Sequence, residues 1–211
     1  MPDEALPWKW VLSDTHFRLT HDVFYRPADA DDLIAEAWRS LIQPGDPVLH
    51  LGDINGLSEL AHLAGRSGVR KAQDLTGFLA GLPGQVSVLL GNWDGGWALD
   101  AAREAGWTVI SGTNGNPAAA MDIIYRECLI EFSHFPDEDP LPDGSLKVHG
   151  HVHPPSRCYR GHAHAPGMDV ADHYELTSAH INAAVSVNNW RPTLLRQILN
   201  QRIARARGSP C

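Results

Sequence analysis

Seven residues of the chain have the chemistry of metal ligands, and they stand in a regular order behind apolar runs. Asp14 and His16 lie in "SDTHF", Asp53 in "HLGDI", Asn92 in "LGNWD", His134 in "SHFP", and His151 and His153 in "HGHVH". Two Asp, one Asn and four His make a mixed oxygen and nitrogen donor set. Such a set suits manganese first, and also iron, zinc or nickel, whereas calcium and magnesium want mostly oxygen. Seven donors exceed what one first-row ion takes from protein, so two divalent ions are expected. A shared carboxylate would hold the pair roughly 3.5–4 Å apart, the spacing of two-metal hydrolases, which clamp a phosphate and activate a water. Asp53 has the reach and charge to be that bridge.

Any one of these residues alone is weak evidence. A D-x-H triplet arises by chance, and a lone histidine is more often structural than a ligand. H-x-H behind a strand is stronger, because alternate residues point the same way. The ordered set is the stronger signal, since each member sits where a buried run gives way to a loop. Twelve histidines in 211 residues is also a high count for surface scatter. His50 and His149 precede strand exits and are expected to be structural or to support the ligands rather than join them. His62, His173 and His180 read as surface or core residues.

The elements that must position these donors can be read from periodicity. Trp8–Leu12, Pro47–Leu51, Val86–Leu90, Trp107–Ile110, Met121–Tyr125, Cys128–Phe132, Leu146–His149 and Ala183–Val187 read as strands. Helical spacing marks Asp29–Ile42, residues 69–82, Ala98–Ala105 and the basic tail Thr193–Arg207. The first half alternates strand and helix, and the second half is mostly strands. This pattern predicts an α/β layered fold, in which strand ends converge on one edge and carry the chemistry. There is no long linker or repeat, so a single domain over 1–211 is expected. Residues 154–180 are rich in Pro, Gly and His and read as an irregular excursion, either a surface loop or a flap over the site.

Composition narrows the partners. Hydrophobic residues make up 43% and charged residues 20%, as in an ordinary globular protein. The formal charge of −8 argues against a broad grip on nucleic acid. The Arg-rich tail reads as a solvated helix face. No basic and apolar leader is visible at the N-terminus, and no run is long enough to span a membrane. Cys128, Cys158 and Cys211 form no paired motif, which fits a reducing cytoplasm.

With these motifs in order, the sequence resembles the calcineurin-like metallophosphoesterase family. The tail "NAAVSVNNWRPTLLRQIL" and "HDVFYRPADADDL" are similar to a small bacterial and phage-type branch of it. The resemblance implies a four-layer α/β/β/α sandwich and hydrolysis of phosphate esters, most of all phosphodiesters such as cyclic nucleotides. It implies that Asp14, His16 and His153 hold one ion, that Asn92, His134 and His151 hold the other, and that Asp53 bridges. It also implies catalytic roles for Asp53, Asn92 and the two residues that follow Asn92.

The sequence departs from the family there. The family usually reads G-N-H-[DE], and that histidine binds phosphate and protonates the leaving oxygen. Here Trp93 replaces it, while Asp94 keeps the acidic position. A slower enzyme is expected, with His21, His162 or His164 as candidates for a relocated acid. The competing expectation is a catalytically weak or inactive scaffold of the same fold.

Overall fold

The computed structural model describes residues 5–18, 27–55, 75–113, 115–136, 141–153 and 179–206. In chain order the elements are β1 (Trp10–Leu12), α1 (Ala30–Leu41), β2 (Pro47–His50), α2 (residues 75–80), β3 (Gln85–Val88), α3 (Gly96–Glu104) and β4 (Thr108–Val109). They continue with β5 (Ala120–Tyr125), β6 (Cys128–Ser133), β7 (Leu146–His149), β8 (His180–Asn182), β9 (Thr193–Leu194) and α4 (Leu195–Ala206). The expected α/β class holds.

Two sheets organise the chain. The first has the order β4-β3-β2-β1-β9, parallel except for β9. The second has the order β5-β6-β7-β8, with β6, β7 and β8 parallel and β5 antiparallel at the edge.

Strand alternation explains how the sheets stack. Trp10 and Leu12 face one side of β1 and pack with Ile34, Ala35 and Trp38 of α1 and Leu99 and Ala102 of α3. Val11 faces the other side and joins Leu49 and Leu51 with Ile130 and Phe132 of β6 and Leu146 and Val148 of β7. Helices α1–α3, the first sheet and the second sheet therefore form successive layers, with one apolar core on each side of the first sheet, while α4 packs Leu195, Leu199 and Ile203 into the core shared with the second sheet. α1 shows why its sequence is helical: its buried residues recur at three- and four-residue steps, and Asp31 and Asp32 in its first turn suit the positive end of the helix. Trp38 anchors it, stacking on Trp107 and donating its indole N–H to the Pro83 carbonyl at 2.7 Å.

Two differences from expectation concern the chain's last third. Ala183–Val187 is not a strand; the strand is β8, just before it. The apolar residues there are buried by tertiary packing, but Asn side chains turn the backbone. Asn182 accepts the Ala184 amide at 2.9 Å, and Asn188 donates to the Ala184 carbonyl at 2.9 Å. The tail helix begins at Leu195, because Thr193 and Leu194 first pair with Val11 and Trp10. Residues 69–74 of the expected second helical region and 154–178 of the expected excursion lie outside the described residues, as do His21, His62, His162, His164 and His173. Among the described residues no helix is long and apolar enough to cross a membrane.

Candidate metal centre

Each donor sits just past the carboxyl end of a strand. β1 releases Asp14 and His16, β2 releases Asp53, β3 releases Asn92, β6 releases His134, and β7 releases His151 and His153. The first three strands are parallel neighbours, as are the last two, so all five ends open onto one edge of the two sheets.

The loops are laced together by their backbones. The amides of Asp14 and His16 donate to the carbonyls of Gly52 and Asp53 at 3.1 and 3.0 Å, and Gly150 N donates to His134 O at 3.0 Å. Four donors adopt left-handed backbone: Asp14 at φ 57°, His16 at φ 43°, Asp53 at φ 57° and His151 at φ 63°. Non-glycine residues adopt this conformation at a cost and concentrate at functional sites. Glycines let the loops approach this closely. A Cβ on Gly91 would overlap the Asp53 amide and carboxylate, and one on Gly150 would overlap the Ser13 hydroxyl.

The donors fall into two groups. Asp14, His16 and His153 offer ligand atoms that lie within 4.8 Å of one another, and Asp53, His134 and His151 do the same. Asn92 belongs with the second: its Oδ1 lies 2.7 Å from His134 Nε2 and 2.9 Å from His151 Nδ1. Asp53 Oδ2 faces both groups, 3.7 Å from His16 Nε2 and 3.3 Å from His134 Nε2. All seven expected donors are thus brought together.

The electrostatics describe a site that wants positive charge. Burial alone would keep His134 neutral, but its bond to Asp53 and the charges of Asp14 and Asp53 lift it to about 9. Burial opposes the charge of Asp14, yet His134, His153 and His16 together with the Ser13 hydroxyl hold it down at about 2. His151, desolvated and beside His134, falls to about 4, which keeps its ring neutral. Two buried carboxylates ringed by imidazoles fit divalent cations.

His50 and His149 have the supporting roles expected of them. His50 Nδ1 accepts the Gly52 amide at 3.1 Å and its Nε2 meets Thr15 Oγ1 at 3.1 Å, tying the Asp14–His16 loop to the Asp53 loop. Burial keeps it neutral by lowering it to about 3. His149, also buried, donates from Nδ1 to Gly150 O at 2.8 Å. His180 is half-buried in β8.

Asp94 is placed differently from the donors. Its Oδ2 accepts the amides of Asp53 at 2.8 Å and Gly91 at 3.0 Å, and its Oδ1 accepts the Ile54 amide at 2.9 Å. Asp94 therefore clamps the Asp53 loop to the Asn92 loop and does not face the donors. Burial and the Asp53 charge push it up to about 6. Asp94→Ala leaves three buried amides unpaired, which should cost about 3 kcal/mol, or roughly 10 °C of melting temperature. Thermal denaturation of chelator-treated protein checks this, and an unchanged midpoint would remove the clamp.

Trp93 donates its backbone amide to Asp53 Oδ1 at 2.8 Å, so this residue orients the Asp53 carboxylate whatever its side chain. Its indole is half-buried and meets the His16 ring edge-on, with centroids 6.0 Å apart. One supporting residue carried no sequence signal: Ser186 Oγ lies 3.0 Å from His153 Nδ1.

No protein-family model matches the chain, and no curated protein matches it in sequence. Among solved structures it is similar to AQ665 of Aquifex aeolicus, a protein described as being of unknown function. The TM-score is 0.57 at 20% identity, over 91% of this chain and 97% of that one. That likeness concerns the fold.

Proposed function

We propose that the chain is a metal-dependent phosphoesterase, acting on a small phosphodiester or nucleotide through two divalent ions. The observation that carries this reading is the position of Asp53 Oδ2 between two groups of donors. In this reading Asp14, His16 and His153 hold one ion, Asn92, His134 and His151 hold the other, and Asp53 touches both. Manganese is the first choice by donor chemistry, with iron, zinc or nickel as alternatives. When bound, such a pair supplies Lewis acidity at the phosphate and a water nucleophile at neutral pH.

The protein's own part is to fix the donors and shape what binds beside them. The Trp93 indole stands at the rim beside His16, where it can stack on an aromatic substrate group or donate one hydrogen bond to phosphate. The net charge of −8 supports small substrates over long nucleic acids. A cytoplasmic setting belongs to the same proposal. So does the family's four-layer sandwich. It is supported by Lys147 and His149, which point away from the intersheet core and are nonetheless buried.

A turnover screen of phosphate mono- and diesters with added manganese, run beside metal analysis, tests the reading. Diester hydrolysis that chelation abolishes supports it. Bound metal without turnover of any ester favours the scaffold alternative. Protein that takes up no metal removes both the ion pair and the activity built on it.

A further inference from the structure

The segment after β8 bonds the loop that carries His151 and His153, and one of its side chains meets His153. Ala183 N donates to His149 O at 2.7 Å, and the Asn182 side-chain amide donates to Val152 O, so the segment grips the loop that carries both His151 and His153. Val185 N donates to Ser13 O at 3.0 Å, beside Asp14, and Val185 itself is buried in the core. Asn188 closes the turn by donating to the carbonyls of Asn182 and Ala184. Ser186 therefore projects from a fixed turn between the Asp14 and His153 loops. Its Oγ lies 3.0 Å from His153 Nδ1, while His153 Nε2 lies 3.6 Å from Asp14 Oδ1.

A histidine that offers Nε2 to a cation carries its proton on Nδ1. The partner of that N–H fixes the tautomer and the ring plane, and losing such a partner weakens metal binding. In the second donor group, His134 Nδ1 faces the Leu51 carbonyl at 2.9 Å, a partner that no side-chain substitution removes. In the first group, the partner of His153 is a side chain.

We infer that Ser186 is a positioning residue for one ion of the pair, the ion of Asp14, His16 and His153, and has no part in holding the other. The inference rests on the two-ion reading above. The His153 Nδ1–H donates to Ser186 Oγ, and the ring is thereby held with Nε2 toward Asp14. Ser186 touches neither Asn92, His134 nor Asp53 in any hydrogen bond among the described residues.

Manganese titration of the chelator-stripped full chain, followed by the electron paramagnetic resonance of free ion, reads the two affinities separately. Ser186→Ala should weaken one ion by about 10- to 100-fold. The other should stay within about twofold, as for independent sites. Ser186→Thr, which keeps the hydroxyl, should recover most of the loss. In an Asn92→Ala background, where the second ion is already weakened, the Ser186→Ala loss should persist on the ion that remains. Ser186 is half-buried, so circular dichroism of Ser186→Ala should match the wild type. Unchanged affinities, equal loss at both ions, or no rescue by threonine would each overturn the positioning role. A wild-type chain that binds no manganese would overturn the two-ion reading itself and this inference with it.

Discussion

Asp53→Asn should strip the protein of metal far more completely than Asn92→Ala. Protein purified without chelator should carry up to about two first-row ions per chain, the count for a bridged pair. Asp53 Oδ2 lies within 3.7 Å of His16 Nε2 and 3.3 Å of His134 Nε2, so it is a neighbour of both donor groups. The side-chain amide introduced by the substitution would keep the shape and the Trp93 contact to Oδ1 but lose the charge that two cations share. Among the described residues Asn92 Oδ1 lies against His134 and His151, both of the second group. Its loss should weaken one ion and spare the other. Elemental analysis of the three proteins, normalised to chain concentration, gives the result directly. Equal metal in wild type and Asp53→Asn would remove the bridging role. Loss of both ions in Asn92→Ala would mean that the two positions are not separable.

The donors were legible because chemistry and position point the same way in each of them. An Asp, Asn or His just past a buried strand has few reasons to be there, and parallel strands carry their ends to a common edge. Asp94 was legible as an acidic residue but not in its role. Whether a carboxylate faces a cation or three amides depends on how two loops meet, and nothing local in "NWDGG" decides that. Ser186 was invisible for a similar reason. Serine is common, and only the folded chain brings residue 186 against residue 153. The misplaced strand at Ala183–Val187 reflects a competition between burial and local bonding. Val185 is buried as a strand residue would be, but Asn182 and Asn188 satisfy the backbone through their side chains and bend it. β9 is two residues long, too short for periodicity to mark.

Trp93→His should raise the rate on poor leaving groups selectively. A general acid is worth about 10²–10⁴ in rate, roughly 3–5 kcal/mol of barrier. The protein as it stands offers at position 93 one indole N–H, a donor without usable acidity. The wild-type rate should therefore fall steeply as leaving-group pKa rises, with aryl esters much better substrates than alkyl ones. The backbone at 93 already donates to Asp53 Oδ1, a contact that histidine keeps, so the metal donors should be undisturbed. With that geometry preserved, the substitution should speed alkyl esters by up to about 10²-fold and leave the best aryl esters nearly unchanged. Trp93→Ala separates the second role of the indole. It should leave the leaving-group dependence as it is and raise KM, since stacking on an aromatic substrate group is worth about 1–3 kcal/mol. Steady-state kinetics over a series of aryl and alkyl diesters measures both slopes. A wild-type rate that ignores leaving-group pKa, with the chemical step shown to be rate-limiting, would mean that a proton reaches the leaving oxygen from another residue. His21, His162 and His164 would then be the residues to substitute.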